Sequence, residues 1–179
     1  MSNSVRKPSH VGPAQADATV QQAAAMGAPL DAMIACCSGG GLAAGTALVI
    51  RALLPNAEVL AAEPAGFDDT ARSLAAGHRV ANEPGLTSIC DSVLAPMPGE
   101  LTFEVNRRNL SGAVAVTDDE VIEAMRTAFR DLGLVAEPGG SVALASVLTG
   151  RFPLNGRTVA VTLSGSNVDL ASALQWMAG

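Results

Sequence analysis

The sequence predicts an α/β domain of three layers, a parallel sheet covered by helices on both faces. Three observations lead there. Apolar runs at 31–37, 57–62, 113–116 and 158–163 have strand length, and such runs mark strands buried on both sides. Helical patterns separate these runs, and strands that alternate with helices are joined by crossovers into a parallel sheet. Three of the runs end in turn-forming or acidic residues: Ser38 to Gly41, Glu63, and Ser164 to Asn167. Parallel order places all three on one edge of the sheet, where such folds take their ligands.

Residues 1–13 read as a mobile lead-in ahead of a single domain over 14–179. A first helix pattern spans 14–26, stopped by Gly27 with Pro29 beyond. The strand at 31–37 runs into Ser38-Gly39-Gly40-Gly41, and an apolar helix over 41–54 ends before Pro55. The strand at 57–62 leads to Glu63-Pro64 and a helix opened by Asp68 or Asp69 and closed by Gly77. The stretch 78–110 holds Pro84, Pro96 and Pro98 and reads as irregular. After the strand at 113–116, Thr117-Asp118-Asp119-Glu120 is a capping box, in which hydroxyl and carboxylate each take one backbone N–H. The helix it opens sets Val121, Ile122, Met125, Ala128, Phe129 and Leu132 on one face, and Gly133 stops it. A helix over 141–148 follows Glu137-Pro138-Gly139-Gly140. The strand at 158–163 and a terminal helix from Asp169 complete the pattern.

Composition narrows the function classes. The 179 residues are 49% hydrophobic and 16% charged, which excludes a disordered chain. Seventeen acidic side chains against 11 basic ones leave a net charge of −6, with four Phe, one Trp and no Tyr. Nucleic acid and anionic membrane surfaces are thereby excluded as expected partners. No apolar stretch reaches the roughly 18–20 residues that cross a bilayer; the longest, 41–54, is interrupted by Arg51. Cys36, Cys37 and Cys90 are odd in number and lack metal-ligand spacing, so the adjacent pair reads as small buried residues rather than a redox couple. The polar N-terminal residues carry no signal-peptide pattern, and a cytoplasmic location is expected.

Four constellations bear on chemistry. Ser38-Gly39-Gly40-Gly41-Leu42 joins a strand to a helix, where glycines let an anion approach free N–H groups and the positive helix end. Gly39, Gly41 and Ala44 also satisfy the dinucleotide fingerprint, with Glu63 as its ribose-binding acid; close helix–sheet packing is the bland alternative. Glu63, Asp68 and Asp69 suit Mg²⁺ or Ca²⁺, although on spacing alone helix capping by the two aspartates is the stronger explanation. Ser164 and Ser166 offer hydroxyls to a ligand or to the following helix. The two histidines, His10 and His78, lie in polar segments and read as solvated, and Arg107-Arg108 reads as an exposed strand or turn pair.

Taken in order, these segments resemble the second half of the fold-type II pyridoxal-phosphate enzymes (tryptophan synthase β-like), in the serine/threonine dehydratase and serine racemase group. The pieces are Ser38 to Leu42, Glu63-Pro64 with Asp68-Asp69, Pro98-Gly99-Glu100, Thr117 to Glu120, Glu137-Pro138-Gly139, and Leu163 to Asp169. The resemblance implies the large domain of that fold and pyridoxal 5'-phosphate as cofactor. It implies that Ser38, Gly39, Gly40, Gly41 and Leu42 cradle the phosphate, that Ser164 bonds the pyridine nitrogen, and that Glu137 lies beside the pocket. A neutral serine at that nitrogen suits β-elimination. It also implies a Mg²⁺ or Ca²⁺ site made by Glu63, Asp69 and the Phe67 carbonyl. Ser166 stands where the family commonly has Gly or Ala, and Cys90-Asp91-Ser92 where many members have Ala-Asp-Gly beside the cofactor.

One element of the family is missing. Its Schiff-base lysine lies in the first half, and the only lysine here is Lys7, between Arg6 and Pro8 in a segment without a core pattern. The resemblance therefore implies a dehydratase of hydroxyamino acids, yielding 2-oxo acids and ammonia, that lacks its covalent anchor. Serine racemisation, a silent binding module or partner subunit, and a NAD-binding Rossmann protein are the alternatives. A homodimer or a complementing chain is the expected assembly, since an absent half leaves apolar surface uncovered.

Overall fold

The computed structural model describes residues 11–178. Its sheet has four parallel strands in the order β3-β2-β1-β4: β1 (Ala32–Cys36), β2 (Glu58–Pro64), β3 (Gly112–Val116) and β4 (Val159–Val161). Around it lie α1 (Val11–Ala25), α2 (Gly41–Leu53), α3 (Asp69–Ala76), α4 (Glu100–Asn109), α5 (Asp118–Leu132), α6 (Pro138–Leu148) and α7 (Leu170–Met177). The predicted three-layer α/β class is the observed one.

The central strand shows how the layers form. All five residues of β1 are buried. Ala32, Ile34 and Cys36 turn to one face and meet Val121, Ala124 and Met125 of α5 and Val142 and Ala143 of α6. Met33 packs on the other face with Ala16 of α1 and Ala47 and Ile50 of α2, and Ala35 and Cys37 meet Ala43. A strand apolar at every position is thus satisfied only between two helical layers. Cys36 and Cys37 are free thiols and buried, as their apolar run predicts, and Cys90 is buried as well.

Several boundaries differ from the sequence reading, each for a local reason. Helix α1 begins at Val11, not at residue 14, because Pro13 sits in the first turn, where its missing N–H costs no hydrogen bond. The rest of the expected lead-in, with Lys7 and His10, lies outside the described residues. For the same reason α6 begins at Pro138, three residues before the expected start. The stretch 78–110 is not irregular throughout, since it contains α4. That helix buries only Phe103 and Asn106, so its apolar period was too weak to register. Arg107 and Arg108 are its last turn, where cations oppose the negative helix end, and Arg107 pairs with Glu104 at 2.6 Å. Phe129 and Leu132 were expected on the buried face of α5 but are 56% and 58% exposed. The buried stripe is Val121, Ala124, Met125 and Ala128, while Phe129 borders a surface groove with Val168 and Leu174.

The capping box at Thr117 forms as predicted. Glu120 N–H donates to Thr117 Oγ1 at 3.3 Å, and Thr117 N–H donates to Glu120 Oε2 at 2.7 Å. Thr117→Ala is expected to lower stability by about 1 kcal/mol in urea denaturation. A change under about 0.3 kcal/mol would mean that the first turn of α5 is held by packing alone.

Candidate functional site

The carboxyl ends of β1, β2 and β4 share one edge, because Ala32 is in register with both Glu58 and Val159. On that edge β1 turns into α2 through Ser38, Gly39 and Gly40. Gly40 is the N-cap and has φ +90°, and a β-carbon there would lie 2.7 Å from Asn106 Nδ2. Glycine is therefore required at this position by both backbone and space. At Gly39 and Gly41 neither holds: φ is not positive, and a β-carbon would meet nothing within 4 Å.

The carbonyls of the loop are tied down from α4. Gly39 O accepts from Gly99 N–H at 3.0 Å and from the Thr102 hydroxyl. Gly40 O accepts from Ala44 N–H at 2.9 Å and from Asn106 Nδ2 at 3.3 Å. Ser38 Oγ accepts from Ala95 N–H at 3.2 Å. The first-turn N–H groups of α2, at Gly41, Leu42 and Ala43, have no intrahelical acceptor, and the positive end of the helix adds to them.

This loop forms one wall of a cavity of about 270 Å³. Ser38, Gly39, Gly40, Gly41 and Leu42 line it together with Glu137, Ser164, Cys36, Ser92, Val93, Gly139 and Gly140. The structure thus brings together all seven residues singled out from the sequence as cofactor contacts. It adds Ser92, in a single 3₁₀ turn at Asp91–Val93, and the Gly139-Gly140 start of α6. A β-carbon on Gly140 would fall 1.5 Å from the Ser164 carbonyl oxygen, so that glycine lets the Ser164 loop lie against α6. Glu137 spans the two: its N–H donates to Gly165 O at 3.0 Å, and its Oε2 accepts from Asn167 N–H at 3.3 Å. Ser166 lies outside this cavity, lining a neighbouring one with Leu134 and Val135. Capping of α7 falls to Asp169, whose Oδ2 accepts from Ser172 N–H at 2.9 Å.

Among the lining residues only Glu137 and Cys36 carry an acidic side chain, and burial holds the Cys36 thiol above its ordinary range. Among the described residues no lysine or histidine lines the cavity. His78 is exposed, with its ring nitrogen 3.1 Å from Ala76 O.

Glu63 and Asp69 do not face this cavity. Both are buried, and the Glu63 carboxylate caps α3 by accepting from Thr70 N–H at 2.9 Å and Ala71 N–H at 3.0 Å. Capping of α3 was expected from Asp68 or Asp69, but Asp68 makes no such bond. Buried and outside the lining of the cavity, Glu63 does not meet a ligand held at the glycine loop, and the dinucleotide reading lacks its acid there. Burial pushes the Glu63 carboxyl up to about 7, and the Cys37 thiol up to about 12. Asp69 is also raised by burial; its Oδ1 accepts from Asn82 Nδ2 at 2.7 Å, while Oδ2 is buried without a hydrogen-bond partner. Among the described residues no three His, Cys, Asp or Glu side chains converge as a metal site.

The profile of the pyridoxal-phosphate dependent enzymes matches residues 10–165. The chain belongs to that family. It is 39% identical to serine racemase from Dictyostelium discoideum over 146 residues, which is 80% of this chain and 45% of the relative. It is 36% identical to beta-hydroxyaspartate dehydratase from Paracoccus denitrificans, covering 82% of this chain and 46% of that one. Among solved structures, threonine deaminase from T.th. superposes with a TM-score of 0.82 at 37% identity, covering 87% of this chain and 55% of the other. The chain thus spans about half the length of the family members it matches. No helix among the described residues is long and apolar enough to cross a membrane.

The sequence reading missed Thr102, Asn106 and Gly140, whereas Ser92 was named through the resemblance. Asn106 carried a usable signal, a buried-period position occupied by an amide, but only within a helix that was itself not predicted.

Proposed function

We propose that residues 11–178 are the pyridoxal-phosphate-holding part of an enzyme acting on small hydroxyamino acids, with the Schiff-base lysine supplied from elsewhere. The observation that carries this is at Gly39 and Gly41. The fold needs no glycine at either position, yet both line a cavity at the start of a helix, as a backbone cradle for a phosphate does. The residues present fit the cofactor. The N–H groups of Gly41 and Leu42 take its phosphate, Ser164 hydrogen-bonds its ring nitrogen, and Glu137 holds the Ser164 loop in place. The cavity is near the lower end of the about 300–1,000 Å³ typical of small-molecule pockets, consistent with one wall of a larger site.

Pyridoxal phosphate, when bound, supplies an electron sink for charge developing at the substrate Cα. The chain's own residues position and neutralise. The α2 N-terminus offsets phosphate charge, and the neutral Ser164 donates or accepts without protonating the ring, which favours loss of a β-hydroxyl, as in dehydration. Glu137 and Cys36 line the cavity but neither carries the amine that a Schiff base needs, so turnover requires that second contributor. The partner is a complementing chain or segment, or a second copy. The exposed Phe129, Leu132, Leu134, Val135 and Leu174 offer an apolar surface for it. Glu63, Asp69 and the Phe67 carbonyl are the proposed Mg²⁺ or Ca²⁺ ligands, because a hard cation satisfies the unpartnered Asp69 oxygen. Three reduced, buried thiols accord with a cytoplasmic location.

The test is an absorbance titration of the purified chain with pyridoxal phosphate, followed by borohydride reduction and peptide mapping. Saturable binding that inorganic phosphate displaces, with nothing fixed to the chain, is the expected result. Fixation on Lys7 would instead make the chain an autonomous enzyme. Absence of saturable binding would end the cofactor reading. A second reading, a binding module without turnover, is favoured by the same poverty of titratable groups. It gains if ammonia release from L-serine or L-threonine stays at background when a lysine-bearing first half from a relative is added.

A further inference from the structure

Asn106 occupies a position on α4 that stability alone would give to an apolar residue. It is 0% exposed, and its Oδ1 has no hydrogen-bond partner. A buried amide oxygen without a donor is costly, whereas a leucine of similar branching leaves nothing unpaired and forms helix more readily. What the amide supplies in return is one bond, from Nδ2 to Gly40 O at 3.3 Å. One turn earlier, the Thr102 hydroxyl lies between Gly39 O, to which it donates, and Gly99 O at 3.1 Å. Both side chains therefore reach out of α4 to carbonyls of the glycine loop.

Those two carbonyls decide where the loop's amides point. A trans peptide directs its C=O and N–H to opposite sides, and no cis peptide occurs among the described residues. Holding Gly39 O against α4 turns Gly40 N–H away from α4. Holding Gly40 O beside Asn106 turns Gly41 N–H off the front of α2. Neither N–H has an acceptor among the described residues, and both glycines line the cavity. Each of these peptide planes also lies between two glycines, whose backbone freedom lets a plane rotate. Their orientation thus has to be held from outside the loop, and α4 is what holds it. A loop fixed in advance loses less freedom when it closes on an anion.

Granted the phosphate-holding function above, we propose that Thr102 and Asn106 are positioning residues that lock the peptide planes of Gly39-Gly40-Gly41 with their N–H groups toward the phosphate.

The experiment titrates the full chain with pyridoxal phosphate by calorimetry, and with inorganic phosphate while NMR follows the Gly40 and Gly41 amide resonances. In the unaltered chain both resonances should shift as phosphate is added. Asn106→Leu should keep or raise the melting temperature, because it removes the unpartnered oxygen, while pyridoxal phosphate affinity falls about 5-fold or more. Thr102→Val should lower affinity by a similar factor, and Thr102→Ser, which keeps the hydroxyl, should restore it. The Thr102 pair decides the matter if Asn106→Leu fails to fold. Equal losses in Thr102→Ser and Thr102→Val would overturn the proposal by assigning Thr102 to packing. So would Gly40 and Gly41 resonances that ignore phosphate. Affinity unchanged in folded Asn106→Leu and Thr102→Val removes this inference alone, whereas pyridoxal phosphate that never binds the unaltered chain removes the functional reading as well.

Discussion

Gly140→Ala is expected to destabilise the chain by about 3 kcal/mol or more, or to prevent folding. The added β-carbon would lie 1.5 Å from the Ser164 carbonyl oxygen, 2.6 Å from its carbon and 3.2 Å from its nitrogen. All three are backbone atoms, so no side-chain rotation relieves the overlap. The clash must separate α6 from the loop after β4, and with it the bond from Ser164 N–H to Gly140 O at 3.3 Å. Gly139→Ala is the control. Its β-carbon would come 2.1 Å from Ser92 Oγ, a side-chain atom free to rotate away, and a cost of about 1 kcal/mol is expected. Urea denaturation of the two variants checks this. Equal, small losses would show that the Ser164 loop is not seated on α6, and Ser164 would then leave the cavity.

Gly41→Asp should separate binding from stability. Gly41 is the first residue of α2, and a β-carbon there meets nothing within 4 Å. A carboxylate in a first turn is favourable by about 0.3–1 kcal/mol, so the melting temperature should hold or rise. The same charge stands where the phosphate is proposed to sit, and pyridoxal phosphate affinity should fall by about 100-fold. Calorimetry and thermal melting on the same sample read both quantities. Affinity unchanged in a stable variant would move the anion site away from this loop.

Most of the architecture was legible because its signals are local. β1 is covered at every side chain and β2 at every one after Glu58, the Thr117 box closes within four residues, and Gly133 caps α5 in the left-handed region at φ +66°. What escaped depended on partners far along the chain. Helix α4 was invisible because Asn106 holds an interior position. Its amide is spent on Gly40 O, 66 residues away, which no local pattern reports. Phe129 and Leu132 follow the helical period of α5 but lie exposed on its last turn, Phe129 at the groove.

The site divides in the same way. By itself the sequence determined the fold class, the family resemblance and the glycine, glutamate and serine positions that the sheet edge gathers. Each of those follows from periodicity and turn chemistry, which short stretches carry intact. The tertiary structure alone decided which of the glycines are there for the fold and which for an occupant. Gly40 and Gly140 are fixed by neighbours, whereas Gly39 and Gly41 face open space. It also decided that Glu63 caps α3 and stays out of the cavity, because a buried carboxylate takes the nearest unpaired donors. Those were the amides of Thr70 and Ala71, placed within reach only when β2 and α3 folded against each other.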